Sequence, residues 1–354
     1  MISAVLVSYR SGLLARRAIA ALRDDAAVSG LELQAVVVVN SQDPEEVRIV
    51  SGAADVTIDA GRNLGYAGGL NRGIAAAAGD VLLLMNPDVT VRRGALAALA
   101  ETVRREPLAM AGPAAFLDEG ETLLIPPFEE PGPLDLARRR LALAPDGAAR
   151  VFRRRLTRTL RAADALGRRE TLEVSALSGA MMAVTRDTLE AQCPFDEKYP
   201  LYFEENDWQR QLRLGGGRLL LVGAARAVHP YGRTTGLEPS AAAWFAESER
   251  RYFTKHFGAR GAMALDALAD ASASVPATPE PPERDALSWA GEAVGVAVSP
   301  LRSFGVFAWA GMAAGASAWR PPDDFLEMAR GAAWYARAVD RSNAQVLAEA
   351  TLSS

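Results

Sequence analysis

The chain has 354 residues, of which 49% are hydrophobic and 23% charged, and its formal net charge is −4. This length suits one large α/β domain with a smaller appendage, because single cores stop growing at roughly 250–300 residues. The charge gives no overall reason to expect nucleic-acid binding, and the single cysteine, Cys193, excludes a disulfide framework and a cysteine-based metal site. The first residues lack the basic and apolar segments of an export signal, so we expect a cytoplasmic protein.

Four short apolar runs in the first hundred residues alternate with segments of helical character, such as Leu13–Arg23. This alternation indicates an α/β fold with a parallel sheet covered by helices on both faces. Ligands of such sheets bind beyond the carboxyl ends of the strands, so the polar residues after each run are candidate site residues. The runs are Ala4–Ser8, Ala35–Val39, Val56–Ile58 and Val81–Met85, and the polar residues are Ser8-Tyr9, Asn40–Asp43, Asp59–Asn63 and Asn86–Asp88.

A glycine-rich segment, Gly61–Gly73, follows the third run and includes Arg62, Asn63 and Asn71. Glycine allows a backbone to approach a ligand closely. A helix predicted over Leu70–Ala78 would let this segment present backbone N–H groups to a diphosphate. Glycines also serve plain packing, so both interpretations stay open.

The fourth run ends in a turn, Asn86-Pro87-Asp88. A carboxylate just beyond a buried strand is well placed to bind Mg²⁺ or Mn²⁺, which would bridge it to a diphosphate. The alternative is that Asp88 caps a helix beginning near Arg93. Taken alone, the turn favours the interpretation in which Asp88 caps a helix.

Within the segment Phe195–Trp208, three carboxylates lie within four positions, Glu204–Asp207, among aromatic residues. Mutual repulsion and burial would raise the pKa of one of them and suit it to general-base catalysis. A solvated helix start is the alternative, since acidic residues favour the first turn of a helix. The flanking aromatics argue for partial burial. The carboxylates are Glu204, Glu205 and Asp207, and the flanking aromatics are Tyr202, Phe203 and Trp208.

The chain has two histidines, of which His229 follows the apolar run Leu219–Val222. A lone histidine is more often structural, but neutral imidazole is a common metal ligand. The second, His256, fits a helix end, and we assign it no chemistry.

Three later segments differ from the first hundred residues. The segment 118–172 holds eleven arginines against two acidic residues between Arg138 and Arg169, which predicts a solvated helical face or a surface for anionic lipid or a diphosphate-bearing acceptor. The proline-rich stretch within 261–285 predicts a linker. The uncharged run Ser303–Trp319 predicts a helix packed on the main domain or lying in a membrane interface, so we expect residues 286–354 to form a C-terminal helical segment.

In this order the motifs resemble those of the family-2 glycosyltransferases with a GT-A fold, especially the bacterial rhamnosyltransferase-like branch. The resemblance covers residues 3–258, so we place a Rossmann-like catalytic domain over 1–260, with 118–172 as a variable insertion. The motifs that carry it are Val5–Tyr9, Asn63–Tyr66 through Asn71–Gly73, Asn86–Val89, Ser178–Ala180, Phe195–Glu197, Glu204–Asp207 and His229.

The resemblance implies an inverting, metal-dependent transfer of a sugar, with rhamnose as one candidate, from a nucleoside-diphosphate donor to a glycan or lipid-linked saccharide in cell-envelope polysaccharide synthesis. Its implied base is Glu205, with Glu204 as the adjacent candidate, and Asp207 would orient the acceptor or support the base. The implied ligands of Mg²⁺ or Mn²⁺ are Asp88 and His229. The implied donor-binding residues are Ser8, Tyr9, Asn40, Asp43, Arg62, Asn63, Gly65, Asn71 and Asn86, and the acceptor-binding residues are Ser178, Gly179 and Trp208.

Two positions depart from the family pattern. Val39-Asn40 stands where the family has an acidic residue that meets the nucleobase, and the base is glutamate instead of the commoner aspartate. The alternatives are a catalytically degenerate nucleotide-sugar or glycan-binding protein and a nucleotidyltransferase, although Tyr9-Arg10-Ser11-Gly12 is too sparse for the phosphate loop of the latter. We expect no nucleic-acid partner, and the arginine-rich segment favours a peripheral contact with the inner face of the cell membrane.

Overall fold

The computed structural model describes residues 1–144, 146–230, 240–273, 280–301, 304, 307–330, 332–340 and 345–352. These residues form two compact units, the first comprising 1–114, 127–131 and 165–262, and the second 115–126, 132–164 and 263–354. The helices are α1 Gly12–Ser29, α2 Pro44–Ser51, α3 Gly65–Ala76, α4 Ala95–Arg105, α5 Pro133–Ala142, α6 Gly147–Gly167, α7 Arg186–Glu190, α8 Glu204–Leu214, α9 Ala241–Ala273 and α10 Asp323–Ala329. The strands are β1 Ile2–Ser8, β2 Leu33–Val39, β3 Val56–Asp59, β4 Val81–Met85, β5 Thr90–Val91, β6 Ala109–Phe116, β7 Thr171–Glu173, β8 Met181–Thr185, β9 Arg218–Val228, β10 Glu283–Arg284, β11 Leu287–Ser288, β12 Ala293–Ser299, β13 Ala308–Gly311, β14 Ala318–Trp319, β15 Trp334–Asp340 and β16 Val346–Leu352.

The first unit is built on a nine-stranded sheet with the strand order β3-β2-β1-β4-β8-β6-β9-β5, and β7 pairs with β9. The strands β3, β2, β1 and β4 are parallel, while β8 is antiparallel to β4. All residues of β1 and β4 are buried, as expected for apolar strands covered on both faces. The four predicted strands and the α/β fold class are therefore confirmed.

Helix α3 begins at Gly65, five residues before the predicted helix over Leu70–Ala78. Two of its glycines lie directly on β1, because a Cβ on Gly69 would be 2.6 Å from the Val7 side chain and one on Gly73 would be 2.3 Å from Val5. The packing interpretation of the glycine-rich segment therefore holds for Gly69 and Gly73.

The second unit contains a five-stranded sheet with the order β10-β16-β15-β12-β13 and a two-stranded sheet of β11 and β14. Its core includes the buried side chains of Trp289, Phe325 and Trp334. Helix α6 contributes Phe152, whose ring lies 5.6 Å from those of Phe304 and Phe307. Most of the predicted arginine-rich insertion thus belongs to the same folded unit as the C-terminal segment.

The prediction of a helical segment over 286–354 is wrong. Half of the described residues there lie in the six strands β11–β16, with α10 as the one helix among them. In β15 the alternate side chains of Trp334, Ala336 and Ala338 are buried, which is the two-residue period of a strand. Alanine and glycine made the segment read as helical, although its Trp, Tyr and Val residues favour strands.

The predicted linker over 261–285 is also wrong at its start, because α9 continues to Ala273 after a break at Gly258, whose φ is 64°. Residues 274–279 lie outside the described part of the chain. Among the described residues, no helix is long and apolar enough to cross a membrane.

Candidate active site

Asp88 lies just beyond the carboxyl end of β4, and its side chain is almost fully buried. The backbone N–H of Asn86 donates to the carbonyl of Ala180 at 2.8 Å, which ties this turn to the start of β8. The alternative in which Asp88 caps the next helix is wrong. Asp25 accepts from the backbone N–H groups at the start of α4, including that of Leu96 at 2.9 Å.

His229 is brought beside Asp88 by strand pairing. Thr90 of β5 pairs antiparallel with Val228 of β9, so residues just before β5 lie opposite those just after β9. The His229 Nε2 atom is 3.6 Å from the Asp88 Oδ1 atom, and both side chains are buried. Burial lowers the pKa of His229, although the charge of Asp88 acts in the opposite direction.

The two candidate bases open α8. The residues before them, Tyr202 and Phe203, both have a φ of 67°, a left-handed conformation that is uncommon and strained for aromatic residues. Glu204 is 3% exposed, whereas Glu205 is partly buried. In the described part of the chain, one carboxylate oxygen of each is buried without a hydrogen-bond partner. Buried carboxylate oxygens without partners are costly, and such groups concentrate at functional sites.

Burial raises the pKa of both glutamates, and for Glu204 the charge of Glu205 adds to the effect. Ionisation of one carboxyl disfavours ionisation of its neighbour, so the two glutamates titrate as a coupled pair.

Gly179 joins these glutamates to the loop before β8. A Cβ at Gly179 would lie 2.9 Å from Glu205 Cγ, so this position has no room for a side chain unless Glu205 moves. Tyr66 of α3 donates its hydroxyl to the Gly179 carbonyl at 3.3 Å. Burial and then the charges of Glu204, Glu205 and Asp88 raise the pKa of Tyr66, which places its hydroxyl within the electrostatic influence of all three carboxylates.

Asp207 faces α9. Its carboxylate accepts from Lys255 at 2.8 Å, Gln211 at 2.9 Å and Tyr199 at 3.3 Å, and it pairs with His256 Nε2 at 2.6 Å. Burial would raise the pKa of Asp207, but hydrogen bonds from His256 and Lys255 keep it below its usual value. Asp207 therefore ties the first turn of α8 to α9, and any support it gives the base is indirect.

Several predicted donor- or acceptor-binding residues bind other parts of the protein. The Asn71 side chain makes two hydrogen bonds with the backbone of Phe195. Its amide donates to the Phe195 carbonyl at 2.9 Å and accepts from the Phe195 N–H at 3.0 Å. Trp208 is 2% exposed, donates to the Cys193 carbonyl at 3.0 Å and stacks on Phe195. The polar groups of both side chains are used in hydrogen bonds within the protein, and their contacts with a ligand stay predictions.

The predicted residues near the ends of β1, β2 and β3 have mixed roles. Ser8 is fully buried and donates to the Glu46 carboxylate. Asp43 caps α2 through the N–H of Glu45, and Asn63 accepts from the N–H of Gly65. Asn40 is buried and donates to the Gly65 carbonyl at 2.8 Å. Of the remaining predicted contacts, Tyr9, Gly65 and Ser178 are partly exposed and Arg62 is exposed.

Sequence reasoning missed the residues that position the site. Gln209 exchanges two hydrogen bonds with the backbone of Leu177, at 2.8 and 3.1 Å, and so keeps the Gly179 loop on α8. His256, to which no chemistry was assigned, is the partner of Asp207. Glu46 is a buried glutamate in the first turn of α2. It accepts hydrogen bonds from Ser8 at the end of β1 and from Ser41 just after β2.

The Asp88–His229 pair fits a divalent cation. A carboxylate oxygen and an imidazole nitrogen whose pKa is lowered are ligands of the right chemistry, and their 3.6 Å separation is close to that of neighbouring ligands around one ion. No group of three or more His, Cys, Asp or Glu side chains suited to a metal occurs in the described part of the chain.

Comparison of the chain with sequence models of protein families agrees with this architecture, in which an α/β sheet has carboxylates beyond the ends of its strands. The sequence model of glycosyl transferase family 2 matches residues 3–187, more than half of the chain. The chain therefore belongs to glycosyl transferase family 2, and its mixed α/β architecture is consistent with the GT-A fold. No curated protein gives a significant sequence match.

Three solved structures illustrate how distant the structural likenesses are. GalNAc-T7 with UDP, GalNAc and Mn²⁺ is 13% identical over 91% of this chain and 67% of its own, with a TM-score of 0.47. Residues 1–349 of S. aureus TarS are 13% identical over 77% of this chain and 72% of that one, with a TM-score of 0.44. The mannosyltransferase PcManGT from Pyrobaculum calidifontis, with GDP-Man and Mn²⁺, is 14% identical over 78% and 76%, with a TM-score of 0.41. At these scores the likenesses carry no argument about substrates.

Proposed function

We propose that the chain is an inverting, metal-dependent glycosyltransferase that uses a nucleoside-diphosphate sugar as donor. The observation that carries this proposal is that two pairs of side chains suited to different chemistry lie near Gly179 and Tyr66. One is a buried carboxylate–imidazole pair, Asp88 and His229, and the other is the glutamate pair that opens α8.

Glu205 is the base in this proposal. It lies against Gly179 and is the less buried of the two glutamates. Its raised pKa, compared with an ordinary glutamate, favours accepting a proton from the acceptor hydroxyl as that oxygen attacks the anomeric carbon. Attack on the face opposite the departing diphosphate gives inversion.

Asp88 and His229 are the residues that would bind Mg²⁺ or Mn²⁺. Two protein ligands leave further coordination positions for phosphate oxygens, as is usual for Mg²⁺ at phosphate-transfer sites. When bound, the cation would neutralise negative charge on the leaving diphosphate.

The proposed acceptor is a hydroxyl of a glycan or of a polyprenyl-diphosphate-linked saccharide in cell-surface polysaccharide synthesis, and rhamnose is one candidate sugar. The arginine-rich segment supports the lipid-linked form and a peripheral location at the inner face of the cell membrane. The rhamnosyl branch rests on motif resemblance alone.

Conversion of each glutamate to glutamine tests the assignment of the base. Glu205→Gln keeps the shape of the side chain but removes the proton acceptor, so transfer should fall by about 10²–10⁴-fold. Glu204→Gln, the matched control, should retain most of the activity because in this proposal the more deeply buried Glu204 accepts no proton from the acceptor. The measurement is sugar transfer to acceptor, with unchanged melting profiles showing that both variants fold. Full activity of Glu205→Gln would refute the assignment, and loss in Glu204→Gln alone would reverse it.

A further inference from the structure

Helix α6 presents a continuous basic face. At 3.6 residues per turn its exposed arginines fall within an arc of about 140°, and the buried Phe152 and Leu156 lie on the opposite side. No acidic residue occurs between the first and the last of these arginines. We call this the arginine face, and it consists of Arg150, Arg153, Arg154, Arg158 and Arg161.

Helix α5, immediately before it, exposes apolar side chains. Leu134 is 63% exposed and Leu141 42% exposed, and the exposed Ala137 lies between them at helical spacing. The same helix buries Leu136, so it is anchored to its unit by a different side. We call Leu134, Ala137 and Leu141 the leucine stripe.

The two helices meet where α5 ends and α6 begins. A Cβ on Gly147 would lie 1.8 Å from the Leu141 carbonyl oxygen, so only glycine allows the backbones to come this close. The end of the leucine stripe is therefore adjacent to the start of α6. Helix α5, and α6 as far as Asp164, belong to the second unit.

We infer that the arginine face and the leucine stripe form a docking surface for an anionic lipid bilayer. Arginines gain roughly 1 kcal/mol each near a negatively charged leaflet, and exposed leucines gain by entering the boundary between headgroups and acyl chains. A nucleic acid or another soluble polyanion would engage the arginines but would leave the leucines in water. The net charge of −4 shows that the chain as a whole is not basic.

The biological role of this docking rests on the proposed function, because docking would bring the chain to a lipid-linked acceptor. Binding itself can be measured without any sugar transfer.

Sedimentation of the full chain with vesicles is the basic test. The chain should sediment with phosphatidylcholine vesicles containing phosphatidylglycerol, much less with phosphatidylcholine alone, and less as salt is raised. Failure to bind the anionic vesicles at low salt would overturn the inference. So would binding to RNA or polyphosphate without binding to the vesicles.

Paired charge reversals test the arginine face. Arg153→Glu with Arg154→Glu should weaken vesicle binding on the order of 30-fold or more. The matched control, Arg16→Glu with Arg93→Glu, makes the same change in net charge at exposed arginines of the first unit and should bind as the wild type does. Equal weakening by both pairs would show a general charge effect and overturn the assignment to α6.

Polar substitutions test the leucine stripe. Leu134→Ser with Leu141→Ser should weaken binding several-fold in a manner that salt does not reproduce, whereas Leu13→Ser with Val28→Ser, exposed positions of α1, should not. If Leu134→Ser with Leu141→Ser left vesicle binding unchanged, the leucines would not enter a bilayer and the inference would be overturned.

Release of nucleoside diphosphate from a sugar donor, measured without vesicles, separates this inference from the proposed function. The docking variants should release it at the wild-type rate. Vesicle binding without any donor turnover in the wild type would sink the proposed function and leave the docking surface standing. Donor turnover without vesicle binding would overturn the docking surface and leave the proposed function standing.

Discussion

Glu204 and Glu205 are adjacent in sequence but differ in their surroundings. Glu204 is 3% exposed and its pKa is raised strongly, whereas Glu205 is partly buried beside Gly179. Burying two carboxyls together is costly, and the fold retains both at the start of α8. Costs of this kind are typical of sites selected for activity over stability.

The cost can be measured through the pH dependence of stability. A carboxyl whose pKa is raised by folding contributes stability below its unfolded pKa, and this contribution is lost as pH rises through the folded pKa. Glu204→Gln removes that dependence. The variant should therefore gain in melting temperature over the wild type as pH rises through the range above 4.5, the ordinary pKa of a glutamate, because only the wild type must then ionise a buried carboxyl or keep it protonated. A difference that is constant across this range would contradict the raised pKa.

At the scale of elements, the position of Glu205 depends on the close approach of the loop before β8 to α8. Gly179→Ala should lower transfer activity at least tenfold, because the added methyl would meet Glu205 Cγ at 2.9 Å and displace the base. The matched control is Gly167→Ala, whose added Cβ meets nothing within 4 Å and should leave the rate unchanged. Comparable rates for both variants in an acceptor-transfer assay would show that Gly179 does not position the base.

Helix α9 stabilises α8 from the other side through Asp207 and His256. His256→Ala leaves a buried carboxylate with one partner fewer and should cost about 1–3 kcal/mol of stability. The kcat should fall more than the KM for the donor changes, because α8 shifts while the donor site is untouched. His256→Gln offers an amide N–H in place of Nε2 and should restore much of both. Loss of stability with an unchanged kcat would make His256 purely structural.

At the scale of the whole molecule, the first four strands and the α/β class were predictable because buried parallel strands leave uninterrupted apolar runs. Asp88 and Glu205, the residues proposed to bind the cation and to act as the base, both stand in distinctive motifs and could be selected as candidates from the sequence. The roles of Asn71 and Trp208 were not predictable, because a polar side chain used in packing looks the same in sequence as one that binds a ligand.

The second unit was the main failure of prediction. Its strands are rich in alanine and glycine, which hides their two-residue period, and α6 lies more than a hundred residues before the strands whose side chains it packs against. Contacts over such separations leave no local pattern. The arginine-rich segment was recognised by its composition, but only the structure distinguishes its exposed face from the buried Phe152 and Leu156.

The most direct measurement of the central claim is release of nucleoside diphosphate across a panel of nucleotide sugars, with Mn²⁺ or Mg²⁺ present or removed by chelation. The account predicts that at least one donor is turned over with metal, that chelation stops the reaction and that added metal restores it. It also predicts that a folded Asp88→Ala variant releases nothing above background, because the carboxylate proposed to bind the cation is gone. Metal-independent turnover, or full activity of Asp88→Ala, would contradict it.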